Sequence, residues 1–387
     1  MMDAREWSYS RVYAQIDLDA IEHNLVQISR KIGPGAKVLA VVKCDGYGHG
    51  SADIAGAIQN MEMVGGFATA TAEEALELWQ AGIKKPILIL GYTFPYAYES
   101  LIRNEIRLTV FREDTLEQLE EAAQRVGKKA FVHVKVDTGM GRIGISPKEE
   151  KLAFLQRIAA SEHLELEGIF THFAKADEAD MAYTLEQLEC FNRFVTLAQE
   201  RLGIRIPYCH AANSAGVIRL KDAHLDLVRA GIILYGLYPS EDMAGEADWL
   251  RPALSLHSHL VYVKEIEPGQ SVSYGCTFTA DRRMRVGTVP VGYGDGYPRS
   301  LSGKGFVLIG GKRAPILGRV CMDQFMVDLS ELPQAAEGDA VVLIGRDGQE
   351  EITAGELGAL SGRFNYELVC DLSPRVPRVY LRGGKLL

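Results

Sequence analysis

The feature that most constrains the fold is a regular alternation between short apolar runs and longer amphipathic stretches, which extends from Lys37 to Leu234. This alternation is typical of βα units joined into a parallel sheet. The predicted strands comprise residues 38–42, 66–68, 87–90, 107–111, 130–136, 166–171, 208–210 and 225–228. Because eight repeats occupy about the length that a closed barrel needs, the sequence predicts an α/β fold built on a (β/α)8 TIM-type barrel.

The character of the sequence changes after about Met243, where helical periodicity almost disappears. Runs at residues 256–266, 285–291, 305–309, 324–328 and 340–344 are separated by turn residues, and one short helix is predicted near residues 353–360. We therefore expect a barrel domain over residues 1–243 and a mostly β C-terminal domain over residues 244–387. A run at residues 12–16, followed by a helix at 19–31, is one strand more than the barrel uses and is expected to pack against the second domain.

Composition and charge exclude several classes of protein. The 387 residues, of which 47% are hydrophobic, can bury a large core. A net charge of -9 offers no basic excess for binding nucleic acid or an anionic membrane surface. No apolar run is long enough to span a bilayer, and residues 1–10 lack a continuous apolar segment, so neither membrane insertion nor a secretory or transit signal is predicted.

The cysteines indicate neither a metal site nor a disulfide framework. They lie at positions 44, 190, 209, 276, 321 and 370, without a CxxC pair or a His/Cys spacing typical of zinc. We therefore predict no structural metal, and reduced thiols in a cytoplasmic protein.

Lys43 lies where the first predicted barrel strand runs out into the loop that contains Tyr47. An ammonium group at the end of a buried strand is unfavourable unless a partner neutralises it or it loses its proton. A neutral lysine amine can form a Schiff base with a carbonyl, which is how pyridoxal phosphate is attached to proteins. The alternative is a lysine that extends from a strand end to the surface, and Lys43 alone does not decide between the two.

The active site of a TIM-type barrel forms at the carboxyl ends of its strands. Residues of chemical interest follow several of the predicted strand ends, namely Lys43, Tyr47, Arg142, His172, Asn213, Ser214, Arg229, Gly231 and Ile232. The loops after the last two strands often bind a phosphate through backbone amides and a hydroxyl. We therefore expect Ser214, Gly231 and Ile232 at a phosphate site, with Tyr47 as a phenolic donor, although Gly231 by itself indicates only a tight turn.

Arg229 and Lys135 each have two interpretations. A guanidinium that keeps its proton and faces a pyridine nitrogen would leave that nitrogen unprotonated and weaken the ring as an electron sink. The alternative for Arg229 is an ion pair inside the barrel, with Asp226 as the candidate partner. Lys135 is predicted to point into the barrel on the same side as Asp137 and to need an anionic partner. A carbamate on Lys135 would provide one.

Four other candidates come from loops. Arg142, between glycines, is expected to present its guanidinium to a carboxylate or to a cofactor phenolate. His172 could pack against a ring or polarise a neighbour, but a lone histidine is more often structural. In the second domain, Tyr274 follows Ser273 in a glycine-bounded turn, and Arg319 precedes a dense loop with Met322. A tyrosine acts as a base only beside a cation that stabilises its phenolate, so Tyr274 alone indicates a structural role.

The chain resembles bacterial alanine racemases over essentially its whole length. The resemblance is carried by AVVKCDGYGHG, VKVDTGMGRIG, THFAKAD, HAANSAG, LVRAGIILYG, VSYGCTFTA, VPVGYGDGYPR, GRVCMDQFMVD and FNYELVCDLSPRVPR. Motifs of this length in one order are highly specific for the fold and fairly specific for the activity.

The resemblance implies a fold-type III homodimer that racemises alanine with pyridoxal phosphate on Lys43. Two bases would stand on opposite faces of the substrate, Lys43 for the D enantiomer and Tyr274 of the partner subunit for the L enantiomer. Residues implied for the phosphate are Tyr47, Ser214, Gly231, Ile232 and Tyr366. The others are Arg229 for the ring nitrogen, Arg142 and the Met322 amide for the substrate carboxylate, His172 and Asn213 for support, and Tyr293, Asp177, Arg299 and Arg319 for the entrance.

The sequence departs from the usual family pattern near the site. Cys44 and Gly46 stand where alanines are usual, and Phe364 is bulkier than the aliphatic residue expected near the entrance. Because glycine adds backbone freedom, Gly46 is expected to loosen the loop that carries Tyr47. Alternatives are a racemase of this fold acting on serine or a basic amino acid, and a non-catalytic pyridoxal phosphate carrier, which would lack the second domain. A decarboxylase would want an acidic partner for the ring nitrogen, and Arg229 argues against one.

Overall fold

The computed structural model describes residues 10–387. They divide into a barrel unit, comprising Glu22–Gly46 and Gly50–Leu250, and a sheet unit, comprising residues 10–21, Tyr47–His49 and Arg251–Leu387. Residues 1–9 lie outside the described residues. They include most of the N-terminal segment in which no targeting signal is predicted. Within residues 10–387, no helix combines the length and the apolar character needed to cross a membrane.

The first part of the chain alternates strands and helices. In chain order they are β1 (Val12–Asp17), α1 (Leu18–Ile32), β2 (Lys37–Val41), α2 (Lys43–Gly48), α3 (Ser51–Ile58), β3 (Val64–Thr69), α4 (Ala72–Gln80), β4 (Ile87–Ile89), α5 (Tyr98–Arg103), β5 (Arg107–Val110), α6 (Glu113–Val126), β6 (Ala130–Lys135), α7 (Leu152–Ala160), β7 (Leu164–Phe170), α8 (Ala182–Leu202), β8 (Tyr208–His210), α9 (Ser214–Arg219) and β9 (Leu227–Ala230). Except for β1, every one of these strands belongs to the barrel unit.

Strands β2 to β9 form a parallel sheet in the order β8-β7-β6-β5-β4-β3-β2-β9. Strand β9 pairs with β2, so the sheet curves back on itself, and regular pairing is missing only between β8 and β9. There the Asp226 N–H donates to the Cys209 carbonyl at 3.1 Å and the Arg229 N–H donates to the Ala212 carbonyl at 3.0 Å. The predicted TIM-type barrel is therefore confirmed as a nearly closed one.

The last barrel strand lies farther along the chain than the sequence predicts. The prediction was residues 225–228, but β9 is Leu227–Ala230, since Leu225 has a φ of 43° that interrupts extended backbone. All four residues of β9 are buried, as expected for a strand covered by helices outside the barrel and by side chains within it. Arg229 consequently lies within the strand and not after it.

The sheet unit is mostly β, as predicted. After Arg251 its elements are β10 (Leu254–His259), β11 (Tyr262–Ile266), β12 (Ser271–Val272), β13 (Phe278–Thr279), β14 (Met284–Val289), β15 (Phe306–Ile309), β16 (Lys312–Leu317), β17 (Phe325–Asp328), β18 (Ala340–Asp347), β19 (Glu350–Ile352), α10 (Ala354–Ser361), α11 (Asn365–Cys370), β20 (Arg378–Arg382) and β21 (Lys385–Leu386). The main sheet runs β11-β14-β17-β16-β15-β18-β10-β1-β20-β21, and β1 pairs antiparallel with β10 and parallel with β20.

Two expectations for this unit were wrong. The single strand predicted at residues 256–266 is two strands, because β10 pairs with β1 and β18 whereas β11 pairs with β14. The prediction of one short helix missed α11, whose six residues are too few to show helical periodicity. That helix carries Tyr366, so the omission concerns a candidate site residue.

Candidate active site

Lys43 begins a left-handed turn at the carboxyl end of β2. The five residues that follow it, Cys44 to Gly48, all have positive φ, between 50° and 79°. The Gly46 N–H donates to the Val42 carbonyl at 2.9 Å and closes the turn. A residue other than glycine costs about 1–2 kcal/mol in this conformation. The turn therefore persists because its surroundings hold it.

Two carboxylates hold the turn within the barrel unit. The Asp45 Oδ1 accepts the Ser51 N–H at 2.9 Å, and the Glu74 Oε1 accepts the Cys44 N–H at 2.6 Å. Glu74 also completes a capping box with Thr71 at the start of α4. A helix cap on the neighbouring βα unit thus fixes the backbone next to Lys43.

Gly46 lowers the cost of this turn. Its φ is 60°, and a Cβ at this position would lie 3.2 Å from the backbone nitrogen of Ser51. Alanine at this position would meet both the conformational penalty and a tight contact. The structural effect of Gly46 is therefore relief of strain at a turn that other residues hold in place.

We expect Gly46→Ala to lower the free energy of unfolding by about 1–2 kcal/mol, because alanine is disfavoured at positive φ. Denaturant or thermal unfolding measures this change. Gly56→Ala is the matched control, since Gly56 lies in α3 and a Cβ added there would meet no atom within 4 Å, so alanine should leave stability equal or raise it. Equal stability of Gly46→Ala and the wild type would contradict the assignment of strain.

Arg229 is the centre of a hydrogen-bond network inside the barrel, where it is only 3% exposed. Its Nη1 contacts the His210 Nδ1 at 2.9 Å and the His210 carbonyl at 3.2 Å. Its Nη2 donates to the carbonyls of Thr171 and Ala211 at 2.7 and 2.8 Å and contacts the His172 Nδ1 at 3.3 Å. Burial, followed by the charge of Arg142, lowers the pKa of Arg229 to about 9, so the guanidinium stays charged at neutral pH.

The alternative of an Arg229–Asp226 ion pair is wrong. The Asp226 carboxylate instead accepts the Cys209 N–H at 2.7 Å, where β8 and β9 meet. Asp226 is an exposed residue, whereas Arg229 is buried. The neighbours of Arg229 are neutral acceptors drawn from the ends of β7 and β8.

A chain of polar side chains continues from Arg229 across the barrel. The His210 Nε2 lies 2.9 Å from the His133 Nδ1, and the His133 Nε2 lies 3.1 Å from the Glu167 Oε2. Arg107 donates to Glu167 from Nε and Nη2, each at 3.0 Å. Burial acts to raise the pKa of Glu167, but hydrogen bonds from His133 and Arg107 outweigh it and lower that pKa to about 2. Sequence reasoning missed this chain, because its members lie on different strands.

His172 lies among positive charges. Desolvation lowers its pKa well below the usual value, and the charges of Arg229, Arg142, Lys135 and Lys43 lower it further. The imidazole is therefore neutral at physiological pH. Gln187, on α8 and 1% exposed, fixes this loop by donating to the His172 carbonyl at 3.1 Å and accepting the Ala174 N–H at 2.9 Å. No sequence motif indicated Gln187.

Lys135 is buried, as its position on β6 predicts. It is 2% exposed, donates to the Val136 carbonyl at 2.7 Å, and places its Nζ 5.6 Å from the centre of the Phe170 ring. Burial, followed by the charge of Arg229, lowers the pKa of Lys135 to about 7, while Asp137 acts in the opposite direction. A substantial fraction of this amine is therefore neutral at physiological pH.

The expected phosphate residues of the barrel unit lie together. Asn213 caps α9 by accepting the Gly216 N–H at 3.0 Å, and the Ser214 Oγ accepts the Gly231 N–H at 3.0 Å. Ile232 begins the short 3-10 turn Ile232–Tyr235. The first N–H groups of such turns have no carbonyl partner within the turn, which makes them donors for an anion. Ser214 contributes a hydroxyl next to them.

Tyr47 and Tyr366 lie together in the sheet unit, although 319 positions separate them in the chain. Tyr47 is buried, and its ring meets that of Tyr366 edge to face at 5.9 Å. Phe364 stacks on Tyr366, with 4.5 Å between the centres of the two rings. A Cβ at Gly48 would lie 1.9 Å from the Val369 carbonyl oxygen, so only glycine allows this approach to α11.

Tyr274 is 71% exposed on the sheet unit. Its flanking residues Ser273 and Gly275 have φ of 70° and 72°, and the Ser273 hydroxyl donates to the Arg319 carbonyl at 2.7 Å. Tyr274 and Met322 line one open pocket with Ser273, Cys321, Asp323, Gln324 and Met326. The tyrosine and the residue assigned to the substrate carboxylate therefore share one surface.

The expected entrance residue Tyr293 is tied to the Met322 loop. The Tyr293 N–H donates to the Cys321 carbonyl at 3.1 Å, and the Gly294 N–H donates to the Met322 carbonyl at 2.9 Å. Asp295, 1% exposed, anchors this turn through two hydrogen bonds from Arg11, at 2.8 and 2.5 Å. Asp295 was not predicted, although its place between two glycines in GYGDGYPR could have indicated it.

The remaining predicted residues have modest contacts. Arg142, Arg299 and Arg319 are exposed, and the Asp177 carbonyl accepts the Ser240 hydroxyl at 3.1 Å.

The barrel unit brings together Lys43, Lys135, Arg142, His172, Asn213, Ser214, Arg229, Gly231 and Ile232. The sheet unit brings together Tyr47 with Tyr366, and Tyr274 with Met322 and Tyr293.

Two protein-family models match this chain, one over most of the barrel unit and one over most of the sheet unit. The family model "Alanine racemase, N-terminal domain" matches residues 16–239, and "Alanine racemase, C-terminal domain" matches residues 253–380. An alanine racemase of Desulfovibrio desulfuricans is 47% identical over 370 residues, which cover 96% of this chain and 98% of the relative. A solved alanine racemase of Clostridium difficile aligns with a TM-score of 0.92 at 40% identity, covering 98% and 97% of the two chains. One from Bacillus anthracis with bound L-Ala-P aligns with a TM-score of 0.92 at 37% identity, covering 98% and 97%.

Proposed function

Since this chain belongs to the alanine racemase family, we propose that it interconverts L- and D-alanine with pyridoxal phosphate attached to Lys43. The observation that carries the proposal is the set of donors on Arg229. Both terminal nitrogens are bound to protein acceptors, whereas no acceptor for the Nε–H is found among residues 10–387. A single remaining donor on a charged group fits an unprotonated ring nitrogen, which can only accept.

The phosphate of the cofactor would bind just beyond the carboxyl ends of β8 and β9, away from the Arg229 guanidinium. Ser214 supplies a hydroxyl hydrogen, Ile232 supplies a backbone N–H, and the Gly231 N–H holds the Ser214 oxygen in place; such donors suit a dianion. The roles of Tyr47 and Tyr366 at the phosphate rest on the family resemblance, as do those of Arg142 and Met322 at the substrate carboxylate. Lys43, half-buried at the end of β2, supplies the amine for attachment.

When bound, pyridoxal phosphate withdraws electrons from the α-carbon of the substrate, so that its proton can be removed. Arg229 limits that withdrawal, because a guanidinium that keeps its proton leaves none for the ring nitrogen. A weak electron sink favours quick return of a proton to the α-carbon. Arg229 thus biases the site towards racemisation and against transamination.

Two bases would exchange the α-proton. Lys43 takes it from D-alanine on one face, and Tyr274 of the partner subunit takes it from L-alanine on the other. In each direction one base removes the α-proton and the other base donates a proton to the opposite face, so one turnover inverts the configuration. His172, neutral and bound to Arg229, helps to hold the guanidinium in place.

A homodimer follows from the surroundings that Tyr274 needs. Its phenol is 71% exposed on this chain, and a base works best where water is excluded and a cation stabilises its anion. The barrel unit of a second copy offers such a cation in Arg142. A partner subunit is therefore proposed to enclose Tyr274.

Lys135 is proposed to carry a carbamate, formed when its neutral amine adds to carbon dioxide and releases one proton. The lowered pKa of Lys135 provides that amine, and the product anion would face Arg229 and Arg142. We expect a carbamate carbon signal in the 13C NMR spectrum of protein equilibrated with 13C-bicarbonate. The signal should be missing from Lys135→Ala, and a wild-type spectrum without it would refute the proposal.

The experiment that tests the function is a substrate panel. Purified protein with added pyridoxal phosphate is given each enantiomer of alanine, serine and lysine, and the change in optical rotation is followed. We expect alanine to racemise fastest, in both directions. Faster racemisation of serine or lysine would establish the alternative substrate, and no racemisation of any of them would refute the proposal. A non-catalytic carrier is disfavoured because the sheet unit with Tyr274 is present.

A further inference from the structure

The chain of side chains that leads away from Arg229 allows only one arrangement of its hydrogens. A guanidinium can only donate, so the His210 Nδ1, 2.9 Å from Arg229 Nη1, must accept. Since the pKa of His210 is lowered well below its usual value, mainly by burial, the ring is neutral and carries its hydrogen on Nε2. That Nε2–H lies 2.9 Å from the His133 Nδ1, which must therefore accept as well.

The same reasoning reaches Glu167. The pKa of His133 is lowered, again mainly by burial, so its one hydrogen lies on Nε2 and is donated to the Glu167 Oε2 at 3.1 Å. Glu167, bound by Arg107, stays ionised and can only accept. Each contact in the chain Arg229–His210–His133–Glu167 then contains one hydrogen, and each hydrogen is donated in the direction of the Glu167 carboxylate.

The barrel is built to keep the two imidazoles in these positions. Phe170 stacks on His210, with ring centres 4.7 Å apart and planes within 3°. A Cβ at Gly168 would lie 2.4 Å from the His133 Nδ1, so the ring occupies space that only glycine leaves open. Both histidines are buried, at 3% and 0% exposure.

We propose that Glu167 and His133 are positioning residues for the racemase site, which fix the tautomer of His210 and thereby hold Arg229 against the ring nitrogen of the cofactor. This inference rests on the proposed function, because it assigns that role to Arg229. Without a carboxylate at the far end, His133 is free to carry its hydrogen on Nδ1. The His210 Nε2–H then has no acceptor on His133. If His210 instead carries its hydrogen on Nδ1, that N–H and the Arg229 Nη1–H face each other, and neither can accept.

The test compares Glu167→Leu with Glu167→Gln in the holoenzyme. Leucine removes the acceptor, and we expect racemisation to fall about tenfold or more and the pyruvate formed per racemisation event to rise by a similar factor. Glutamine keeps a carbonyl acceptor for His133 and should retain most of the wild-type ratio. The matched control is Glu165→Leu, on the same strand, since Glu165 is about half exposed and pairs with the exposed Lys129.

A second readout is independent of turnover. In 15N spectra of histidine-labelled holoenzyme, His133 and His210 should both appear as neutral rings protonated on Nε2, and Glu167→Leu should change this pattern. Loss of activity in Glu167→Leu without a change in the pyruvate ratio or in the tautomers would overturn the proposal and indicate a structural role. If the substrate panel failed while the tautomers changed as expected, the hydrogen-bond chain would stand and the proposed function would fall.

Discussion

Lys43→Ala is expected to abolish racemisation and to remove the visible absorbance that the attached cofactor gives to the protein. Alanine offers no amine for the Schiff base and no base for the proton of D-alanine, so one substitution removes two functions. Loss of a general base alone costs about 10²–10⁴-fold in rate, and the additional loss of cofactor attachment should place the variant beyond that range. Absorbance spectroscopy and a racemisation assay measure the two effects separately.

Lys37→Ala is the matched control for this prediction. Lys37 begins the same strand, β2, at the end opposite to Lys43, and its Nζ donates to the Glu62 carbonyl at 2.9 Å. The control variant should keep both the absorbance and the activity. Lys43→Arg adds a test of charge, because it keeps a cation but cannot form the attachment. Normal turnover in Lys43→Ala would remove Lys43 from the mechanism.

Tyr274→Phe is expected to slow racemisation by about 10²–10⁴-fold while leaving cofactor binding intact. The two enantiomers are equal in free energy, so racemisation must slow in both directions. Exchange of the α-hydrogen with solvent deuterium separates the two bases. D-alanine should still exchange with retention of configuration, because Lys43 can remove and return a proton on its own face, whereas exchange of L-alanine should fall with racemisation.

The matched control is Tyr262→Phe. Tyr262 is 53% exposed on the edge strand β11 and has no assigned role. The Tyr262→Phe variant should exchange the α-hydrogen of both alanine enantiomers at the wild-type rate. Equal loss of exchange from D- and L-alanine in Tyr274→Phe, or loss of the cofactor, would show that the phenol is structural and not a base.

The positions of Lys43 and Ser214 could be predicted because their signals are local. Lys43 directly follows an apolar run that becomes β2, and Ser214 begins a helix capped by its neighbour Asn213. Hydrophobic periodicity is a property of adjacent residues, so it survives without knowledge of the rest of the fold. The same signal led to eight parallel strands and to a mostly β second domain.

The two-residue error at the last barrel strand shows where local signals end. The predicted strand begins at Leu225, but Leu225 has a φ of 43° and the strand is Leu227–Ala230. A strand buried on both faces has no alternation of apolar and polar residues to mark its register, so pairing with β2 decides the register. That pairing places Arg229 inside the barrel, where its role is determined.

The barrel, the second domain and the residue types at the strand ends could be predicted from the amino-acid sequence, because each depends on a pattern of neighbouring residues. Folding was needed to reveal that Arg229 bonds to His210 and not to Asp226, that His133 and Glu167 continue this chain, and that Arg11 holds Asp295 from a position 284 residues away. A partner across a barrel or a sheet is selected by strand order, register and burial. These are properties of the folded chain and leave no local pattern in the sequence.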